Sequence, residues 1–207
     1  MLEAGLRVLR AKGIDAVTMR AVAAELDTGP ASLYVYVANR KDLLDQMFDA
    51  VAASIDLGPE PDPTHWREQL EALAYRIVEA MDDHPGIARV PLANVPTGQG
   101  AARVADRTLA LLRAGDVDDR SAAWFIDVVS LYINATAYET SIYMSEGTTE
   151  DNIDEQIRDD FARLGADEFP NLTRLMGPLT SGTGEERFAF GLRLLINGLL
   201  NTPPPPA

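Results

Sequence analysis

Apolar residues recur along this chain at intervals of three and four, in segment after segment, and nowhere keep the strict alternation of a half-buried strand. That periodicity constrains the fold more than any other feature, and it predicts an all-α protein. Glycine, proline and short polar clusters set the borders. Leu2, Leu6 and Leu9 share one face of a helix over 2–12 that stops at Gly13. Thr18 is placed to cap a helix over 19–26, and Asp27-Thr28-Gly29 turns the chain. Pro30 suits the first turn of a third helix reaching Val37, and Asn39 with Asp42 three residues on opens a fourth ending near Ile55. The prolines of Leu57–Pro63 cannot sustain a helix and read as a connector. Beyond it helices are expected over 64–83, 87–93, 101–114, 119–146, 150–164 and 185–200, the last bounded by Pro203–Pro206. The stretch 165–184 reads as loop-rich, with a turn near 171–176.

The chain of 207 residues, 46% apolar, is long enough for one large domain or two small ones. No apolar run approaches the roughly 18 residues of a membrane span, and the N-terminus lacks the pattern of a signal peptide, so a cytoplasmic location is expected. Cysteine is absent, which excludes disulfides, thiolate catalysis and sulfur-bound zinc. Only His65 and His84 are present, both flanking helix ends, where a solvated or capping role is expected. With no Glu-x-x-His pair and no glycine-rich phosphate loop, nothing supports a helical-bundle enzyme, and no metal or cofactor is expected.

The net charge of −14 argues at first against a nucleic-acid partner. Its distribution reverses that reading. Residues 1–48 hold six basic and six acidic side chains, leaving twelve basic against twenty-six acidic in the remainder. All surplus negative charge therefore lies outside the first quarter, as expected if only that quarter approaches DNA.

Residues 18–44 carry the most specific signal: two short helices joined by a tight turn and followed by a capped third, which is helix-turn-helix spacing. The second helix of such a pair presents its N-terminal residues to base edges in the major groove. Pro30, Ala31 and Ser32 are small enough to let the helix end approach, with Ser32 able to donate or accept. Tyr34 and Tyr36, two residues apart, reach phosphates on a flank, and Arg40 and Lys41 add charge at the next helix start.

The run from Thr18 to Leu44, with Ala23-x-Glu25-Leu26, Leu33-Tyr34-x-Tyr36-Val37 and Asn39-Arg40-Lys41-x-Leu43-Leu44, resembles the DNA-binding domain of the tetracycline-repressor family. The tail from Gly184 to Leu199 is similar to the last helix of the subgroup that contains the tetracycline repressors themselves. The resemblance implies a helix-turn-helix DNA-binding domain over 1–46 and a larger ligand-binding and dimerisation domain over 47–207. It implies that Thr18 contacts phosphate, that Arg20 reaches a guanine as well as backbone, that Pro30, Ala31 and Ser32 form the reading surface, and that Tyr34, Tyr36 and Arg40 contact backbone. Val35-Tyr36 departs from the family's frequent Trp-His. Tetracycline repressors use a histidine near the short helix to bind a drug-magnesium chelate; Ala88–Thr97 contains none, so tetracycline and metal are not expected.

In the second half, Phe188, Leu192, Leu195 and Leu199 recur at helical spacing, while Phe190, Leu194 and Ile196 make the rest of that helix apolar too. A helix apolar on nearly all sides needs cover on all sides, so a homodimer through a four-helix bundle is expected. For a ligand pocket the candidates are Trp124, Val128, Tyr132, Asn134, Tyr138 and Glu139 on the long helix, faced by Trp66, Leu70, Leu73, Ile77 and Leu92. The function expected is a repressor that binds a pseudo-palindromic operator in double-stranded DNA and is released by a small, largely apolar effector. A protein-binding adaptor with a vestigial helix-turn-helix is the alternative.

Overall fold

A computed structural model of the chain describes residues 1–202; the prolines expected to follow the last helix lie outside the described residues. Among the described residues there is no strand, and there are eleven helices. In the N-terminal head α1 (Leu2–Lys12) is followed by a 3-10 turn over Ile14–Ala16, α2 (Met19–Glu25), α3 (Pro30–Leu33) and α4 (Arg40–Ser54). The body contains α5 (Trp66–Asp82), α6 (Arg89–Ala93), α7 (Gln99–Ala114), α8 (Asp119–Glu146), α9 (Glu150–Ala162), α10 (Pro170–Leu179) and α11 (Gly184–Asn201).

Local chemistry accounts for most of the borders. The Thr18 hydroxyl accepts from Ala21 N–H at 3.1 Å, satisfying one of the orphan donors of α2. Asn39 accepts from Asp42 N–H at 3.0 Å, and the shorter Asp42 carboxylate reaches back to Ala38 N–H at 2.8 Å rather than to Asn39 itself. Asp118 caps α8, Gly147 ends it in the left-handed conformation at φ 66°, and Thr183 with Glu186 forms a full capping box on α11.

Two segments differ from expectation. Regular helix in α3 stops at Leu33, because the N–H groups of both Tyr36 and Val37 turn onto the Leu33 carbonyl. The stretch expected to be loop-rich contains α10. Gly177-Pro178 falls in its last turn, where a missing N–H costs a single ladder bond. Arg158 of α9 then ties off the helix end with two 2.7 Å bonds to the Thr180 hydroxyl and carbonyl.

In the head, Leu9, Val17, Val22, Leu33, Leu43 and Met47 are buried together, and Arg7 closes the outside with a 2.8 Å ion pair to Glu25. α4 passes residue 46 without interruption, and its later turns pack on α7. The α7 N-terminus is capped from α4: Asp49 accepts from Ala101 N–H at 2.9 Å. α11 lies on α5 and α8, where Phe188 stacks on Tyr132 at 5.5 Å and meets the edge of Tyr75 at 5.2 Å.

Near the end of α5, Asp82 has a buried carboxylate oxygen with no hydrogen-bond partner. Burial, then the neighbouring carboxylates Asp83 and Glu79, push its pKa up. Folding therefore carries a penalty while Asp82 is ionised, and the penalty vanishes at pH below its unfolded value, where both states are neutral. Asp82→Asn is expected to raise stability at neutral pH by up to about 1 kcal/mol, limited by solvent screening of a half-buried group. Urea unfolding at neutral and acidic pH checks this: the gain should shrink in acid, and an undiminished gain would assign it another cause.

Candidate nucleic-acid interface and ligand cavity

Three bulky side chains in succession, Tyr34, Val35 and Tyr36, are 55%, 81% and 69% exposed, held out by the buried anchors Leu33 and Val37 on either side. Such a run at the tip of a small helical unit is a surface awaiting contact. Beside it, Gly29, Pro30 and Ala31 are exposed, and the space over Gly29 is open. Ser32 donates its hydroxyl proton to Gly29 O at 2.7 Å and lies 3.0 Å from the Thr28 hydroxyl, so it first stabilises its own turn and offers a base only its acceptor side. Arg20 and Thr18 are exposed on the same unit, and Lys41 holds Asp45 at 2.7 Å.

Arg40 has a part the sequence did not disclose. Its guanidinium donates to Val17 O at 2.6 Å and Ile14 O at 2.8 Å, fastening α4 to the segment that leads into α2. It positions the start of α2 against α4 as well as adding charge.

The head is joined to the body by a polar seam. His84 is buried rather than solvated: its Nδ1 lies 2.8 Å from Ala80 O and its Nε2 lies 2.6 Å from an Arg10 nitrogen of α1. Since arginine only donates, Nε2 accepts and Nδ1 carries the proton. Arg89 of α6 pairs with Asp15 at 3.2 Å across the same seam.

A cavity of about 550 Å³ lies in the body, walled by α4, α5, the α6 region, α7 and α8. Leu70, Leu73, Ile77, Leu92 and Asn134 of the expected set line it. Asn134 is nine-tenths buried and its amide makes no hydrogen bond to the protein. Sequence reasoning missed Phe48 and Ala52 of α4, Ile55 at its C-cap, and Val104 and Thr108 of α7. The available signal was that apolar positions on α4 continue well beyond what a three-helix head can cover.

The other expected pocket residues do not line this cavity. Trp66 is buried against Gly115, where a β-carbon would come within 2.6 Å of the indole. Tyr132 donates to Arg187 O and Phe188 O at 3.3 and 3.2 Å and clamps α8 to α11. Trp124 and Val128 are about half exposed, Tyr138 is half-buried against the core, and the exposed Glu139 accepts from Tyr143 at 3.3 Å. A 28-residue helix presents every side somewhere, and these residues do not share the side of Val129, Ile133 and Asn134.

The residues expected at a dimer interface are placed as follows within the single chain. Phe188 and Leu192 are buried within the chain and Leu195 and Leu199 are half-buried, because this face of α11 packs on α5 and α8. The large apolar side chains α11 leaves exposed are Phe190, Leu194 and Leu200, and α8 exposes Trp124, Val128, Leu131 and Ile142 at helical spacing. Among the described residues no group of His, Asp and Glu is placed to hold a metal, and no helix is long and apolar enough to cross a membrane.

The chain is similar to known proteins over nearly its whole length. A family model described as bacterial regulatory proteins, tetR family, matches residues 1–47, and one described as tetracyclin repressor-like, C-terminal domain, matches 58–202. The transcriptional repressor DrrR1 of Streptomyces coeruleorubidus is 27% identical over 208 residues, covering 96% of this chain and 75% of that protein. Tetracycline repressor protein class G of Vibrio anguillarum is 25% identical, covering 96% and 90%. Among solved structures, ActR of Streptomyces coelicolor in complex with actinorhodin superposes with a TM-score of 0.86 at 38% identity, over 97% of this chain and 94% of the other. Its complex with (S)-DNPA gives 0.84 at 37%, over 97% and 95%.

Proposed function

The chain belongs to the tetR family of bacterial regulatory proteins, and on that premise we propose that it is a ligand-responsive repressor that binds a pseudo-palindromic operator as a homodimer and is released by a small, largely apolar effector. The observation that carries this reading is the double duty of α4. Its first turn holds the reading unit through Arg40, and from two turns on Phe48, Ala52 and, at its C-cap, Ile55 line the cavity. A molecule entering the cavity touches the helix that sets the head's position. The α6 region is shared in the same way, with Pro91 to Val95 on the cavity and Arg89 on Asp15 of the head.

Release then requires only that the ligand favour one of two placements of α4 and α6, with couplings of roughly 1–3 kcal/mol typical of such systems. Homodimerisation is supported by the outward faces of α8 and α11: Trp124, Val128, Leu131, Phe190 and Leu194 are exposed apolar surface that a second copy can cover. Two copies would present two reading helices, as a pseudo-palindrome demands. That ActR is solved with actinorhodin supports a polycyclic ring framework as the kind of effector to try first, in acid and in neutral form alike.

The test is binding of the full chain to a fluorescent duplex from its own upstream region, at two salt concentrations and against random competitor. Salt-sensitive binding that survives competitor is expected, and Tyr34→Ala should weaken it at least tenfold while the chain stays dimeric on a sizing column. Absence of specific binding there and at neighbouring intergenic duplexes would overturn the proposal.

A further inference from the structure

We infer that the cavity discriminates by ligand charge, admitting neutral and cationic molecules and rejecting carboxylates, with Asp127 as the residue that sets the discrimination. This rests on reading the cavity as the effector site.

Among the described residues the lining contains no lysine, arginine or histidine, and Asp127 is its only charged side chain. Asp127 is exposed at the α8 rim, one turn from the exposed Ser130 and Leu131, whereas Asn134 lies deeper and nine-tenths buried. A ligand carboxylate carried inward would lose its water, meet no cation and pass a fixed negative charge. Burying an unpaired charge is among the costliest events available to a protein site. A carbonyl or hydroxyl loses little, because the Asn134 amide has both donors and an acceptor uncommitted, and the Thr108 hydroxyl, whose proton goes to Val104 O at 2.9 Å, can still accept. An ammonium group gains at the rim from Asp127.

Three probes sharing one fluorophore separate these cases: methyl anthracene-9-carboxylate, anthracene-9-carboxylate and 9-(aminomethyl)anthracene, titrated into the full chain at neutral pH. The ester and the amine should bind comparably, and the carboxylate about thirtyfold more weakly or worse, given the cost of an unpaired buried charge. Asp127→Asn should weaken the amine and narrow the gap between ester and carboxylate, and Asp127→Lys should bring the carboxylate level with the ester. Asp127 is exposed in the single chain, so neither substitution threatens its fold, and a sizing column checks that each variant keeps the wild-type oligomeric state. Ala105→Trp, which fills the cavity from the α7 wall, should abolish all three. Equal binding of the three probes, lost together in Ala105→Trp, would overturn charge discrimination and leave the cavity as a ligand site. Binding indifferent to Ala105→Trp, or no binding at all, would overturn the site and this inference with it. Discrimination against the carboxylate that neither Asp127 substitution changes would remove Asp127 from its role.

Discussion

Gly100→Ala is expected to lower stability by roughly 2–3 kcal/mol, a large effect for one methyl group. Gly100 is buried at the start of α7, against the backbone of α4. A β-carbon there would run into Asp49 O and come within 2.6 Å of Ala53 N. Both neighbours are main-chain atoms of a helix, so no rotamer change relieves the contact. α7 must lift, which also strains the Asp49 cap on Ala101 N–H and the 3.0 Å bond from Arg103 to Ala53 O. For a chain of this size the midpoint of thermal unfolding should fall by about 4–12 °C. Gly177→Ala in α10, where nothing lies within 4 Å of the added carbon, is the control and should be neutral or slightly stabilising. Equal effects of the two substitutions would mean that the α4–α7 approach is looser than described.

Arg40→Ala is expected to cost the head about 2 kcal/mol and to abolish operator binding. Two charge-assisted bonds to carbonyls, at 2.6 and 2.8 Å, disappear together. They are the link that sets the α2 entry against α4, so the reading unit loses its position as well as a positive charge. Arg40→Lys separates the contributions: it keeps the charge but cannot span both Val17 O and Ile14 O as a planar fork does. Its operator affinity should recover only in part, and the head should remain less stable. Tyr34→Ala, which removes an exposed ring, should weaken operator binding with no change in unfolding midpoint. Wild-type stability in Arg40→Ala would reduce Arg40 to a phosphate contact.

How the cavity escaped the sequence is instructive. Its walls come from residues 48 to 134 on five elements, and each wall residue is an ordinary apolar position of its own helix. A cavity is the place where several apolar faces fail to meet, and no single helix records that failure. Asn134 was legible because an amide among apolar neighbours needs a partner. Trp124 and Val128 read equally well as pocket, core or interface, and the structure leaves them outside.

Local chemistry decided the helical class, most helix borders and the helix-turn-helix, because caps, breakers and periodicity act over a few residues: Thr18, Asn39 and Thr183 each bond within three residues of themselves. Tertiary structure decided which sides of α8 and α11 face inward. Both helices are apolar nearly all round, so periodicity gives no direction. The choice fell to shape: Gly191 leaves room for Tyr132 to lie on α11, which turns Phe188 and Leu192 into the core and leaves Phe190 and Leu194 outside. The same holds for Arg40 and His84, whose partners lie 23 to 74 residues away in sequence: Arg40 meets Val17 and Ile14 only when the head folds, and His84 meets Arg10 only when the head closes on the body.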